Sequence, residues 1–127
     1  MSGRWSNEAQ VLVELEAMAD RSWALVGEYK AQAVNAANAE ALHKSLRAKA
    51  VLRTAATPVD GRRPSIALAE ASADADDAVV DALQNRLVTA ALADATREAL
   101  RSIRTNQDAL RTAAASHRQT SIGPGYQ

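Results

Sequence analysis

The chain has 127 residues, 15 of them basic and 15 acidic, so its formal net charge is zero. This length predicts one domain, and the charge balance excludes a global field that would attract nucleic acid or a membrane, so any electrostatic function has to be local. Cysteine is absent, which excludes disulfides and thiolate chemistry. The apolar share is 47%, mostly alanine, and phenylalanine is missing. Alanine favours helix but buries little surface, so a single chain is expected to have a thin core and to associate with copies of itself or with a partner.

The first predicted element is a long helix from about residue 8 to residue 54. This stretch contains no proline and only one glycine, Gly27. Its apolar positions recur at intervals of three and four, which is helix periodicity. Ser6 or Asn7 is a candidate cap at its start. The predicted stripe consists of Leu12, Leu15, Ala19, Trp23, Val26, Tyr29, Ala33, Leu42, Leu46 and Ala50.

A turn is predicted over residues 55–65. Pro58 and Pro64 lack a backbone donor, and the Asp60-Gly61 pair between them favours a chain reversal. Ser65 is a plausible N-cap for the element that follows.

The second predicted helix covers about residues 66–118, which again contain neither proline nor glycine. Its apolar stripe shifts phase near Leu92, and this shift resembles the stutter of a coiled coil. Alternatively, Asp74, Asp76 and Asp77 mark a break and a new N-cap. Residues 119–127 are predicted to be a tail, since Gly123, Pro124 and Gly125 stop a helix. The stripe consists of Ile66, Ala69, Ala73, Val80, Leu83, Leu87 and Ala90, and then of Leu92, Ala99, Ile103, Leu110 and Ala114.

These elements predict an all-α fold, a long antiparallel and coiled-coil-like helical hairpin that forms one domain over residues 1–118. One partner helix covers only part of each stripe, so the hairpin is expected to form a homo-oligomer. The side chains predicted for the core or the oligomer contacts are Leu12, Leu15, Trp23, Val26, Tyr29, Leu87, Leu92, Ile103 and Leu110.

The most basic part of the chain surrounds the predicted turn. Its cations are Lys44, Arg47, Lys49 and Arg53 before the turn and Arg62 and Arg63 within it. Cations at a helix C-terminus complement the helix dipole, and acidic residues open the next helix, so the two sets of charges can satisfy each other. Alternatively, the cluster is a rim that binds the phosphates of a nucleic-acid backbone, repeated in every copy of an oligomer.

Two further features have ordinary and functional interpretations. Five arginines share one face of the second helix, either as a solvated surface or as an anion-binding surface: Arg97, Arg101, Arg104, Arg111 and Arg118. Trp23 and Tyr29 are expected in the core or in a subunit interface, rather than as a platform on which bases stack.

Catalytic and metal-binding patterns are missing from the sequence. His43 and His117 have no clustered partner ligands, and no nucleophile motif or glycine-rich phosphate loop is present. We expect no enzymatic activity, no cofactor and no metal. The start of the sequence has no apolar signal-peptide core and no segment approaches the length of a membrane span, which predicts a cytoplasmic protein with no membrane partner.

The order of these motifs resembles that of small helical proteins of phages and prophages of actinobacteria and their relatives. The resemblance covers about residues 12–118. It rests on Tyr29-Lys30, on an alanine-rich stretch that leads into LRAKAVLR, and on the closing stretch REALRSIRTNQDALR at 97–111. Such proteins are remotely similar to the UvsY-like recombination mediators.

The resemblance implies an all-helical oligomer that binds single-stranded DNA in the host cytoplasm. It would help to load a recombinase onto strands covered by single-strand-binding protein. Basic residues at the end of the first long helix contact DNA in that family, and by position these would be Lys49 and Arg53, with Arg47 beside them. The alternative is a structural or assembly protein, such as a virion scaffold or an adaptor, which binds no nucleic acid.

Overall fold

The computed structural model describes residues 8–122, apart from the side chains of residues 117 and 120–122. The fold is all-α, as predicted, with helices α1 (Glu8–Ala56), α2 (Ile66–Ala75) and α3 (Asp77–Ile122). Within the described residues the only β-type pairing is an isolated bridge between Val59 and Arg62. The proposed caps Ser6 and Asn7 lie outside the described residues.

The second helical arm is divided at Asp76, so the alternative of a break with a new N-cap at the aspartates is confirmed and one continuous helix over about 66–118 is wrong. Asp76 has extended backbone angles, φ −66° and ψ 131°. Its N–H donates to the carbonyl of Ala73 and closes α2, while its Oδ1 accepts from the N–H groups of Ala78 and Val79, at 3.0 and 3.4 Å, and opens α3. Aspartate favours this cap because its carboxylate satisfies amide groups that have no partner within the helix.

The end of α3 also differs from the prediction. The helix continues to Ile122, past the predicted end at residue 118. Residues 119–122 contain neither proline nor glycine, and the helix-stopping pair Gly123-Pro124 follows them directly in the sequence. Most of the predicted tail, residues 123–127, lies outside the described residues.

The contacts divide the chain into two compact units. Unit 1 joins α1 up to Tyr29 with α3 from Ala95, and unit 2 covers Lys30–Asp94, including α2 and the turn. In unit 1, Val11 packs on Leu110 and Ala114.

The buried centre of unit 2 consists of small side chains, because two of its three residues are alanines. Ala50, Ala73 and Val79 form this centre, and Leu46 and Val51 pack against it.

The covered side of each long helix follows a heptad spacing. Buried and half-buried positions alternate by four and three along α1 and by three and four along α3, which is the spacing that keeps one seam of a helix facing a partner. In α1 they are Val11, Leu15, Met18, Ser22, Leu25, Tyr29, Gln32, Ala36, Ala39, His43, Leu46 and Ala50. In α3 they are Val79, Ala82, Arg86, Thr89, Ala93, Thr96, Leu100, Ile103, Gln107, Leu110 and Ala114.

The stutter proposed for α3 is therefore wrong. The covered positions run from Val79 to Ala114 without a change of phase. The apparent shift near Leu92 arises because the largest apolar residues of this region, such as Leu87 and Leu92, lie outside the seam, whereas alanine, threonine and one arginine lie within it.

The residues predicted for the core or the oligomer contacts fall into two groups. Ile103 and Leu110 are buried, and Leu15, Val26 and Tyr29 are half-buried. The remaining four are exposed, so they are not core residues of the single chain: Leu12, Trp23, Leu87 and Leu92. Their role in an oligomer stays a prediction.

No helix in the described part of the chain combines the length and the apolar character that crossing a membrane requires.

Candidate nucleic-acid interface

The turn of unit 2 is a tight reversal with defined backbone geometry. Val59 and Arg62 exchange backbone hydrogen bonds of 2.8 and 3.0 Å, and the two residues between them, Asp60 and Gly61, have φ of 53° and 75°. Positive φ at both central positions is the pattern of a type I′ turn, for which Asp-Gly is a preferred sequence. The turn therefore fixes the backbone at Arg62 and Arg63.

Side-chain hydrogen bonds to the backbone order the chain on both sides of this turn. At the end of α1, the hydroxyls of Thr54 and Thr57 donate to the carbonyls of Ala50 and Arg53, at 3.0 and 2.8 Å. At the start of α2, Oγ of Ser65 accepts from the N–H of Leu68 at 3.1 Å. The prediction that Ser65 caps the following helix is confirmed.

Arg47 is bound to an aspartate of α2. Its Nε donates to Oδ1 of Asp74 at 2.7 Å and its Nη2 donates to Oδ2 at 3.3 Å, so the pair is bidentate. The hydrogen bond from Arg47 is the main cause that lowers the pKa of Asp74, and the same bond raises the pKa of Arg47. Bidentate pairs hold both groups in a fixed geometry. Arg47 therefore fastens α2 to α1, and its guanidinium is occupied.

Lys44 also has an acidic partner. Its Nζ lies 3.0 Å from Oε1 of Glu40, one turn earlier on the same helix. The hydrogen bond and the charge of Lys44, together with the charge of Arg86, lower the pKa of Glu40. Arg47 thus fits the interpretation in which the charges of neighbouring elements satisfy one another, whereas Lys44 is paired within its own helix.

Arg86 extends this network into the seam between α1 and α3. Its Nη2 donates to Oε1 of Glu40 at 3.2 Å, and its Nη1 lies 3.0 Å from Nδ1 of the buried His43. A guanidinium can only donate, so Nδ1 of His43 accepts and carries no proton. Neither Glu40 nor Arg86 is among the site residues predicted from the sequence, where His43 was rejected both as a metal ligand and as a catalytic residue. The sequence signal that could have placed Arg86 in the seam is its spacing, since it lies seven residues after Val79 and so at the same heptad position.

Arg53 has a weaker partner. Its Nη2 lies 3.6 Å from Oδ2 of Asp76, the residue that divides α2 from α3, and 72% of its side chain is exposed. An exposed pair of this length contributes little stability, because water screens it. Because the pair is weak, a phosphate can replace the carboxylate of Asp76 at a small cost in free energy.

The other three predicted cations are exposed and form no ion pair with another described residue: Lys49, Arg62 and Arg63. Lys49 precedes Arg53 by one helical turn, so both lie on one face of α1. Of the six predicted cations, the structure therefore leaves Lys49, Arg62 and Arg63 without an acidic partner and Arg53 with a loose one. We refer to these four residues as the turn cations.

A shallow groove of about 380 Å³ lies beside the turn cations. Arg53 and Pro64 contribute to its lining, as do the exposed Val59 and Leu68. Among the described residues, none of those that line the groove is aromatic. The chemistry available at this end of unit 2 is attraction of phosphate by exposed cations.

The five arginines predicted on one face of the second helix form, in part, a solvated surface of α3. Arg101 pairs with Glu98 at 2.8 Å and Arg111 pairs with Asp108 at 3.4 Å, each within one turn of the helix. Arg118 donates to the carbonyl of Ala114. Such pairs are typical of an exposed helix surface.

Trp23 is 77% exposed, so the expectation that it lies in the core of the chain is wrong. Its part in a subunit interface or in base stacking stays a prediction.

Among the described residues, no group of three or more histidine, aspartate and glutamate side chains is arranged to hold a metal ion.

Comparison with known proteins gave no match to protein-family models, to curated proteins or to solved structures.

Proposed function

We propose that this protein binds single-stranded DNA without sequence preference as a homo-oligomer, and that it acts as an accessory protein of phage-type recombination that helps a recombinase to load. The observation that carries the proposal is the set of turn cations, Lys49, Arg53, Arg62 and Arg63, which are exposed and have no firm acidic partner among the described residues. Because the chain has zero net charge, an anion has to be attracted locally, and these four cations gather around the turn.

Two neighbouring acids are already paired. Glu40 and Asp74 are held by Lys44 and Arg47, so they do not neutralise the turn cations. Asp60 and Glu70 are exposed acids of the same region, so attraction of phosphate depends on direct contacts with the turn cations. Four cations in one copy give a modest affinity for phosphate, and an oligomer multiplies it, because each copy adds its own set along a flexible strand.

Binding of this kind depends on salt and is tolerant of sequence. Each phosphate contact releases a counterion, and the logarithm of the affinity falls with the logarithm of the salt concentration by about 0.7 per contact on single strands. Recognition of phosphate alone carries no base preference. The proposed mediator role agrees with both properties, since such a protein has to act on strands of any sequence.

The test is a titration of fluorescently labelled single-stranded oligonucleotide, followed by anisotropy at several salt concentrations. The variant Lys49→Ala/Arg62→Ala/Arg63→Ala removes three turn cations. The matched control Arg101→Ala/Arg104→Ala/Arg111→Ala removes the same charge from α3. We expect the first variant to bind at least about tenfold more weakly at low salt and to lose about two units of salt slope per subunit. The control is expected to bind as the wild type does.

Two results would contradict the proposal. One is a wild-type oligomer that does not bind the oligonucleotide at low salt. The other is an equal loss of affinity in both triple variants, which would show that only net charge matters. The accessory role itself is tested by strand exchange with a recombinase on DNA covered by single-strand-binding protein, where the wild type is expected to shorten the lag and the turn variant is not.

A second candidate is a structural or adaptor protein that binds other helices. It is favoured by the large apolar side chains that the single chain leaves exposed, such as Trp23 at 77% and Ile66 at 75%. This candidate predicts assembly without DNA binding, so the same titration, combined with a mass measurement, separates the two.

A further inference from the structure

The middle part of one flank of the helix pair in unit 2 has no charged side chain among the described residues, and Lys49, one heptad after Leu42, and Asp81, one heptad before Val88, bound it. We refer to this middle part as the neutral flank. It consists of one row on α1, Asn35, Asn38 and Leu42, and one row on α3, Asn85, Val88 and Leu92. Both rows have spacings of three and four, which place their members on one face of each helix.

The lack of charge extends through the surrounding sequence. Residues 31–39 of α1 include no charged side chain, and Arg86 is the only one between Asp81 and Asp94 on α3. Arg86 is half-buried and bonds to Glu40 and His43 in the seam, so its charge is not presented on this flank.

The neutral flank is apolar and indented. Leu42, Val88 and Leu92 are 52%, 56% and 53% exposed. Between the two helices lies a shallow groove of about 360 Å³, which is lined by Asn35, Asn38, Leu42 and Asn85 together with Ala39 and Thr89. Apolar side chains beside a groove allow one surface to insert into another.

The three asparagine side chains of the flank have unused hydrogen-bonding groups. The amides of Asn35, Asn38 and Asn85 are exposed and bond to no other described residue. An amide carries both donors and an acceptor, so it can pair with a second amide of the same kind. In helical assemblies, a covered asparagine fixes register and partner number for this reason.

We propose that the neutral flank is the surface through which one copy of this chain docks on a second copy. A two-fold interface places each surface on itself, and like charges would then repel one another, whereas a neutral surface of leucine, valine and amides is compatible with its own copy. Lys49 lies one heptad after Leu42 at the edge of this flank, and the six residues of the flank itself offer no cation to nucleic acid or anionic lipid and no complementary charge to a charged protein. The inference rests on the homo-oligomer that the proposed function requires and assigns its contact surface.

The test measures assembly directly. Leu42→Glu/Leu92→Glu adds two carboxylates to the neutral flank. The matched control Leu83→Glu/Leu87→Glu adds two to the same unit at exposed leucines. Leu83 precedes Leu92 by nine positions, about 180° around the helix, so the control alters the opposite flank. Sedimentation equilibrium gives the mass of each variant, and far-ultraviolet circular dichroism gives its helix content.

We expect the wild type and the control to assemble, and the neutral-flank variant to dissociate at least about a hundredfold more readily while keeping its helix content. A second measurement does not depend on a destabilising change. Because the chain has no cysteine, Leu92→Cys introduces a single thiol, which a short bis-maleimide should link to that of a second copy. Leu83→Cys should give no linked dimer.

Three results would overturn the inference: a monomeric wild type, a neutral-flank variant with the wild-type mass, or efficient linkage through Leu83→Cys instead of Leu92→Cys. The oligonucleotide titration on the same samples separates this failure from that of the proposed function. If the wild type assembles through the neutral flank but does not bind DNA, the proposed function alone fails. If it binds DNA and the neutral-flank variant keeps its mass, the inference alone fails.

Discussion

Nη1 of Arg86 on α3 lies 3.0 Å from Nδ1 of His43 on α1, and both residues occupy heptad positions of the covered seam. The contact makes a polar layer within a seam that is otherwise filled mainly by small and apolar side chains. The guanidinium also bonds to Glu40, so the three residues act as one network that joins the two helices.

The first prediction concerns this layer. Arg86→Ala removes the donors to Glu40 and His43 and leaves the buried imidazole nitrogen without its partner, which is expected to lower the free energy of unfolding by about 1–3 kcal/mol. Urea denaturation followed by circular dichroism measures the change. Arg104→Ala is the matched control, because Arg104 is exposed and forms no ion pair with another described residue. It should shift the free energy by less than about 0.5 kcal/mol, and an equal effect of both changes would contradict the role given to Arg86.

The second prediction concerns the acid dependence of the Arg47–Asp74 pair. The hydrogen bond from Arg47 lowers the pKa of Asp74 below its ordinary value of 3.8. The pair therefore adds stability at pH values above the ordinary pKa of the Asp74 carboxyl. This stability is lost as the pH falls through the lowered pKa that Asp74 has in the folded state. Wild-type stability, measured by urea denaturation, is expected to decline as the pH is lowered below about 5.

In Asp74→Asn the decline should be smaller but not absent, because the pKa of Glu40 is lowered as well. Arg47→Gln should reduce the decline in the same way, and the double variant should add nothing further, since either change breaks the pair. An acid dependence equal to that of the wild type in both single variants would show that the pair does not contribute.

The third prediction compares two glycines under the same substitution. Gly61 has φ of +75° in the turn, and Gly27 lies within α1; a Cβ atom at either position would meet open space. Gly61→Ala is expected to cost about 1 kcal/mol, because alanine disfavours positive φ. Gly27→Ala is expected to stabilise by about 0.5–1 kcal/mol, because alanine loses less conformational freedom in a helix. Thermal denaturation should show shifts of opposite sign, and shifts of the same sign would contradict the described turn.

The fourth prediction tests the cap that divides the second arm. Asp76→Ala removes the acceptor for the N–H groups of Ala78 and Val79 and is expected to destabilise by about 1 kcal/mol. Asp76→Asn keeps a capping oxygen and should change stability by only a few tenths. If asparagine were as harmful as alanine, the charge of Asp76 beside Arg53 would matter more than the cap.

Local chemistry accounts for most of the helices and for the turn. The absence of proline, the Asp60-Gly61 pair and the cap at Ser65 predicted where the first helix ends and the second arm begins, because these effects act within a few residues. The break at Asp76 was one of two alternatives. The sequence could not decide between this break and a continuous helix, since Ala69, Ala73 and Val80 keep helical spacing across the aspartates.

The cationic site was predicted as six residues, and the structure separates them. Arg47 and Asp74 are 27 positions apart, so their pairing depends on how α2 lies on α1. No local pattern shows which cation obtains that partner, and this is why Arg47 and Lys49 were placed in one predicted cluster.

The sequence by itself determined that this protein is helical and reverses its direction between residues 56 and 66, because capping, backbone freedom and helix propensity are properties of short segments. Only the tertiary structure decided which face of each helix is covered. An alanine-rich helix has more than one stripe with helical spacing. In the first half of α3, pairing selected a stripe that includes the small or polar Arg86, Ala93 and Thr96, while Leu87 and Leu92 stayed outside. That choice depends on how closely two backbones approach and on the polar pairs they form, and neither is encoded in the periodicity of a single helix.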